Sequence, residues 1–281
     1  MLANLDNEVI FKKVFTDKEI FTGFVKDVLE IDFKVGKIET EKQFKPKIGN
    51  IDFKLDIFAE SEDDRIAIEL QKIEYDNNFD RFLHYFLMSI AELQRNYRTY
   101  KINKTVYGIV VVTAPYTITT KDNQPILNEV LVTNLNPRSL GGEEVKMYNH
   151  CLTFLNPYHK EETTPPAVRD WLDLIYQSIH APERPTVNIN NPLIQKAVNM
   201  INVDNLTPEE LTARKQKESR RVMAKKIEQI GINKGIDIGI DMGIEQVAIR
   251  GIKRGRSNED IADMTGLSVE EIEHLRKTLD D

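Results

Sequence analysis

The segment that most constrains the fold is residues 50–71, where two stretches of alternating residues flank a polar turn at 61–64. Four apolar residues of the first stretch recur at every second position: Ile51, Phe53, Leu55 and Ile57. Three apolar residues of the second stretch do the same: Ile66, Ile68 and Leu70. Period-2 alternation indicates half-buried strands, and the turn between them predicts a β-hairpin.

The turn also predicts the register of this hairpin. A loop of two or four residues within 61–64 places Ile57 opposite Ile68 and Leu55 opposite Leu70. This register joins the apolar faces of the two strands, whereas a slip of one residue would expose every buried side chain to water.

The same register places two acids opposite each other, Asp56 and Glu69, in a D-x12-E-x-Q pattern that ends at Gln71. Directly opposed residues have Cβ atoms about 5 Å apart, so the carboxylates would repel unless a cation lay between them. Oxygen ligands of this kind suit Mg²⁺. The alternative is that both acids are solvated on the exposed face of the hairpin, where long charged side chains usually lie.

The rest of the first 160 residues predicts an α/β domain with the order α, β, β, β, α, β. Helical periodicity covers 7–30 with a break at Thr16-Asp17, and again 79–100. The other predicted strands are an edge strand within 34–47, a strand buried on both faces at 105–113, and weaker ones at 130–135 and 146–155. A helix crossing between strands implies a mixed sheet with helices packed on its faces.

The remainder of the chain predicts a C-terminal helical region. We expect four segments: a core at 1–160, a helical and Pro-containing connector at 161–206, a basic helix with a Gly-Ile repeat at 207–250, and a small helix-turn-helix-like module at 251–281. The last module has serine caps but is net −6 from Ser257 onward, so we expect it to pack against a partner rather than to read DNA.

The basic helix carries the strongest positive strip of the chain, with seven bases against one acid between 214 and 226. The strip provides candidate nucleic-acid-binding residues: Arg214, Lys215, Arg220, Arg221 and Lys225. Such a strip can grip a phosphate backbone. The alternative is an ordinary solvated helix face.

The Gly-Ile repeat reads GINK, GIDI, GIDM, GIEQ over 231–246. Each glycine costs an isolated helix about 1 kcal/mol relative to alanine, so the helix needs close packing in return. We therefore expect a homodimer formed by this helix and its copy. A frayed low-complexity tail is the alternative.

Composition excludes several classes of protein. The net charge of −7 argues against a nucleic-acid coat, although a local basic strip remains compatible with a DNA enzyme. The single cysteine, Cys151, suits a reducing cytoplasm, and no apolar run of about 18 residues predicts a membrane span. Neither zinc-like histidine spacing nor a phosphate-cradling glycine loop occurs, so a nucleotide cofactor is not expected.

Three groups of residues together resemble a known family. The first helix matches a D/E-x-x-F-K-x-x-F opening with Glu8, Phe11, Lys12 and Phe15. The hairpin supplies Asp56, Glu69 and Gln71, and the segment that follows supplies Phe79, Arg81 and Tyr85. This order resembles the PD-(D/E)XK nuclease-family transposases, also called the recombination-promoting nuclease family.

The resemblance implies a restriction-endonuclease-like αβββαβ core and Mg²⁺-dependent cleavage of DNA phosphodiester bonds, with Mn²⁺ as a substitute. Asp56 and Glu69 would hold the metal with the backbone carbonyl of Leu70, and Glu8 would complete or water-bridge its shell. Gln71 stands where many members of the wider superfamily carry lysine, and glutamine can only offer hydrogen bonds. We expect Arg81 to contact nucleic acid.

Two alternatives to a DNA endonuclease stay open. One is a catalytically inactive relative that acts as a DNA-binding or protein-interaction module. The other is an RNA-directed nuclease that uses the same site.

Overall fold

The computed structural model describes residues 1–44, 53–71, 78–94, 102–115, 119 and 122–280. The helices of this part are α1 (Glu8–Phe15), α2 (Lys18–Leu29), α3 (Asn78–Ala91), α4 (Pro166–His180), α5 (Pro192–Ile201), α6 (Pro208–Lys253), α7 (Asn258–Thr265) and α8 (Val269–Asp280). The strands are β1 (Lys37–Phe44), β2 (Phe53–Glu60), β3 (Asp64–Gln71), β4 (Thr105–Val112), β5 (Val130–Asn134) and β6 (Cys151–Leu155).

The six strands form one mixed sheet in the order β1-β2-β3-β4-β6-β5. β1, β2 and β3 pair antiparallel, β4 runs parallel to both β3 and β6, and β5 returns antiparallel to β6. Helix α3 makes the crossover that lets β3 and β4 run parallel. The predicted mixed sheet with an αβββαβ order is therefore confirmed, with β1 at the edge.

Helices cover the two faces of the sheet. On one face α1, α2, α4 and α5 surround an aromatic cluster that includes Phe15, Phe24 and the fully buried Trp171. On the other face α3 packs Phe82 and Phe86 against β4 and β6. β4 contributes to both clusters, as a strand buried on both faces must.

The break between the first two helices lies where the sequence predicts it. The carboxylate of Asp17 accepts hydrogen bonds from the N–H groups of Glu19 and Ile20, which makes Asp17 the N-cap of α2. After this break α2 packs against α1, and α1 also contacts β2 of the hairpin.

The predicted register of the hairpin is confirmed for Ile57 and Ile68, which pair. Leu55 and Leu70, predicted to pair on the same apolar face, lie outside the paired part of the ladder and pack in different clusters. The predicted distribution of its apolar side chains is wrong in the first strand. Ile57 packs beneath α1 and α2, whereas Phe53 and Leu55 pack with Phe58 on the α3 side. The alternation therefore shifts by one residue at Asp56, where the strand is locally irregular. Ile51 lies outside the described residues.

Two other elements are shorter than predicted. The third helix ends at Ala91 instead of continuing to residue 100, and residues 95–101 lie outside the described part. The last strand begins at Cys151, so the predicted strand residues 146–150 are an irregular approach to it.

The chain divides into two compact units, Met1–Lys215 and Gln216–Asp281. In the first unit, α4 and α5 of the predicted connector contribute Trp171 and Ile194 to the main core. In the second, α7 and α8 pack on the end of α6 through Ala248, Ile261 and Ile272. The four functional segments at 1–160, 161–206, 207–250 and 251–281 stay a prediction. In the part of the chain described here, no helix combines the length and apolar character that a membrane span requires.

Candidate active site

The candidate site is an opening between β2 and β3. Backbone pairing of the two strands covers Ile57↔Ile68 to Glu60↔Arg65, and both strands continue beyond it. In the opening, the Asp56 N–H donates to Glu69 Oε1 at 3.1 Å. The Leu70 N–H donates to Asp56 Oδ2 at 3.0 Å. Side-chain carboxylates thus take the hydrogen bonds that backbone carbonyls would take in a regular ladder.

The edge strand opens at the same level. β1 pairs with β2 at Thr40↔Ile57 and again at Lys42↔Leu55, which leaves Glu41 and Asp56 out of the ladder. Glu41 has a φ of 57°, a left-handed conformation that is uncommon outside glycine. The irregularity in β1 therefore coincides with the shift of alternation in β2.

Glu69 is a buried acid, only 8 % exposed. It borders a small apolar cavity between the sheet and α3 that is also lined by Leu55, Phe82 and Tyr85. Burial raises the pKa of Glu69 to about 8, and the charge of Asp56 adds to that rise, while the Asp56 N–H opposes it. Metal-free Glu69 is therefore mostly protonated at neutral pH.

Asp56 is also destabilised as a carboxylate. Burial raises its pKa, the hydrogen bond from Leu70 lowers it, and the charge of Glu8 raises it again. Because both acids resist ionisation, a cation bound beside them would stabilise their charged forms.

Glu8 and Lys12 lie one turn apart on α1, and the ammonium of Lys12 hydrogen-bonds the Glu8 carboxylate. The same ammonium lies 3.0 Å from Glu41 Oε1, and Lys54 lies 2.7 Å from Glu41 Oε2. Through Lys12, these contacts tie Glu8, the third predicted acid, to Glu41 of the edge strand rather than to Asp56 directly.

Gln71 and Arg81 meet on the α3 side of the site. Arg81 donates to Gln71 Oε1, and its guanidinium lies 5.0 Å from the Phe82 ring centroid and 5.9 Å from that of Tyr85. Because a guanidinium only donates, the amide oxygen of Gln71 faces Arg81 and its NH₂ group is turned away.

The predicted basic strip lies on α6. Lys215 and Arg220 are exposed, and Arg214 is half-buried beside Met1. The side chains of Arg221 and Lys225 lie outside the described residues. The surroundings of the carboxylate pair are built from α1, β1, β2, β3 and α3, all of which belong to the first unit.

The donor set suits a hard divalent cation. Among the described residues no group of three or more His, Cys, Asp or Glu side chains is gathered, so the protein offers Asp56 and Glu69, with the neighbouring Leu70 backbone. Mg²⁺ is commonly held by one or two carboxylates plus substrate phosphates and water. Two adjacent acids with raised pKa values match that pattern.

The sequence patterns do not predict the role of Glu41, whose carboxylate pairs with the Lys12 ammonium beside the site. Glu41 lies in the predicted edge strand, and no local signal marks a left-handed residue at position 41. The pairing of Glu8 with Lys12 was predictable from the sequence, because an acid four residues before a lysine lies next to it on a helix.

A mixed αβββαβ sheet with an acid on each of two neighbouring strands defines a restriction-endonuclease-like nuclease fold. A family model described as PD-(D/E)XK nuclease family transposase matches residues 5–229, and the chain belongs to that family. Comparisons with curated proteins and with solved structures found no match. Family membership supports a nuclease or transposase-associated role.

Proposed function

We propose that the protein is a divalent-metal-dependent DNA endonuclease associated with recombination or transposon-like elements. The observation that carries the proposal is the opening between β2 and β3, where Asp56 and Glu69 are held together by backbone N–H groups of the opposite strands. Membership of the nuclease family supports the same role.

Mg²⁺, or Mn²⁺ in its place, would be held by Asp56, Glu69 and the carbonyl of Leu70. When bound, the ion would polarise the scissile phosphate and acidify a nearby water molecule. Glu69 loses its proton when a cation binds, because only the carboxylate is a good ligand. Glu8 lies near enough to raise the pKa of Asp56 and would complete or water-bridge the shell.

Gln71 and Arg81 act on the substrate side of the site in this proposal. Gln71 would offer hydrogen bonds to the attacking water or a phosphate oxygen, and its amide oxygen accepts from Arg81. The planar, always-charged guanidinium of Arg81 suits a phosphate. Its stacking on Phe82 and Tyr85 limits its freedom before substrate arrives.

The partners proposed are DNA and a second copy of the chain. The basic strip on α6 would contact the phosphate backbone without reading sequence. The Gly-Ile repeat and the residue before it leave five isoleucines between 48 % and 59 % exposed: Ile230, Ile232, Ile236, Ile238 and Ile240. Large exposed apolar surfaces mark interaction sites, and a homodimer through α6 would cover these side chains. The protein would work in the cytoplasm, where a lone cysteine stays reduced.

A catalytically inactive DNA-binding module is the second candidate. The observation that favours it is the neutral amide of Gln71 at a position where a lysine would supply positive charge. This candidate predicts DNA binding without cleavage in any divalent metal.

Plasmid nicking separates the two candidates. Wild-type protein with Mg²⁺ or Mn²⁺ should convert supercoiled plasmid to nicked circles, and Asp56→Asn should reduce the rate by about 100-fold or more. The Asn oxygen can still accept the Leu70 N–H bond, so the fold should persist. Asp63→Asn, in the exposed turn of the same hairpin, is the matched control and should keep full activity.

Equal nicking by the Asp56→Asn variant would mean that a contaminant is responsible. Absence of nicking with retained, salt-sensitive DNA binding would favour the inactive module. Competition with RNA in the same assay tests the substrate class.

A further inference from the structure

Gln71 is neutral, so β3 lacks the positive charge that a lysine at this position would supply. Of the described cations, two carry charges that lower the pKa of both Asp56 and Glu69: Arg81 from α3 and Lys12 from α1. Arg81 is exposed and bonded to Gln71. Lys12 is different, because its side chain is only 14 % exposed and its ammonium lies 3.0 Å from Glu41 Oε1, at the level where Glu41 and Asp56 leave the β1–β2 ladder.

The packing of α1 and two hydrogen-bond partners fix the position of the Lys12 ammonium. α1 itself is anchored in the core by Phe11 and Phe15, which are fully buried on either side of Lys12 in the sequence. The ammonium is bonded to Glu8 and Glu41. Glu41 has a left-handed backbone conformation, and Lys54 pairs with the other oxygen of its carboxylate.

We infer that Lys12 is a phosphate-binding residue of the active site and supplies the positive charge that Gln71 lacks. The inference rests on the proposed nuclease function. An ammonium has three N–H donors, and Glu8 and Glu41 use two of those donors among the described contacts. The third can meet a non-bridging phosphate oxygen. Glu8 would release a second donor when it turns toward a bound cation.

A purely structural role for Lys12 would be to tie α1 to the edge strand through Glu41. The two roles differ in what can replace the lysine. A lysine placed at position 71, on β3 beside Glu69, can return charge to the phosphate but cannot restore the tie between α1 and β1. Rescue from position 71 therefore distinguishes them.

The test compares four forms of the full chain: wild type, Lys12→Met, Lys54→Met and the double variant Lys12→Met with Gln71→Lys. Lys54→Met is the matched control, because it removes the other ammonium that pairs with Glu41 and leaves Lys12 in place. We expect Lys12→Met to lower kcat for plasmid nicking by about 100-fold, Lys54→Met to lower it by less than about threefold, and the double variant to recover at least about tenfold.

Two further readouts do not depend on turnover. Mn²⁺ affinity of Lys12→Met should be equal to or tighter than that of wild type, because a positive charge near the acids has been removed. Binding of a short DNA duplex in Ca²⁺ should weaken in Lys12→Met, with a salt slope smaller by about one.

The inference is overturned if the Lys12 and Lys54 variants lose the same activity, or if a lysine at 71 gives no recovery while Lys12→Met only lowers the melting temperature. An inactive wild type would instead overturn the proposed function. In that case the duplex-binding comparison still decides for or against a phosphate contact by Lys12.

Discussion

Asp56 and Glu69 are linked through each other's strands. The backbone N–H of Asp56 donates to the Glu69 carboxylate, and the Asp56 carboxylate accepts from the N–H of Leu70, which follows Glu69. The side chains that are proposed to bind the ion therefore also link β2 and β3 where the backbone ladder is open. The acids are therefore positioned without a cation, while burial raises the pKa of both carboxyl groups.

Metal binding should appear as thermal stabilisation. Since Asp56 and Glu69 would bind Mn²⁺ in the folded state only, adding Mn²⁺ at about 100 times its Kd should stabilise the protein by about 2.7 kcal/mol. The measurement is the melting temperature with and without Mn²⁺. Asp56→Asn should lose the shift and Asp63→Asn should keep it. A shift of equal size in the Asp56 variant would place the ion elsewhere.

The metal-free protein should lose stability as pH rises from about 4.5 to about 8. Glu69 has a folded-state pKa of about 8 against an ordinary value of 4.5, so between those values the folded state holds more protons than the unfolded state. The contribution is complete at the acidic end and is lost as pH rises through the folded pKa. Asp56 acts in the same direction.

Glu69→Gln, which mimics the protonated acid, should flatten this part of the pH profile. The effect is on the order of a few kcal/mol at pH 8 and is measured by urea unfolding in EDTA at pH 5, 6.5 and 8. Parallel profiles for the variant and the wild type would show that Glu69 ionises freely in the folded chain.

Alanine at the repeat glycines should raise helicity and weaken the dimer. A Cβ at Gly235 or Gly239 would meet nothing within 4 Å among the described residues, so each alanine should stabilise the isolated helix by about 1 kcal/mol. Between paired helices the same methyl group would prevent close approach. Circular dichroism and analytical ultracentrifugation measure the two effects.

Asp237→Ala is the control for the repeat, because 100° per residue places it on the opposite side of the helix from the glycine row. It should leave self-association unchanged. A wild-type protein that is monomeric at micromolar concentration would rule out the homodimer.

The basic strip should control the salt dependence of DNA binding. Lys215→Gln and Arg220→Gln remove exposed charges that are proposed to neutralise phosphates. Each should lower the slope of log K against log salt by about 0.9 and weaken binding similarly for all sequences. Fluorescence anisotropy of a labelled duplex measures this. Lys253→Gln, exposed at the far end of α6, should have little effect, and an equal effect there would argue for nonspecific charge attraction.

Much of the fold follows from local patterns. The break capped by Asp17, the buried strand at 105–112 and the pairing of Ile57 with Ile68 were all predictable, because caps, β-branched runs and alternation depend on neighbouring residues. The end of α3 at Ala91 and the later start of β6 were not, since element ends depend on packing contacts that lie far away in sequence.

By itself, the sequence determined that an acid on each of two neighbouring strands would lie at the same level of a mixed sheet, because alternation and turn length set the hairpin register. Only the tertiary structure decided how those acids are held. The left-handed Glu41, the shifted alternation at Asp56 and the reach of Lys12 from α1 each depend on β1, β2 and α1 meeting in space. These contacts cannot be predicted from a short stretch of sequence, because they join residues that are far apart along the chain.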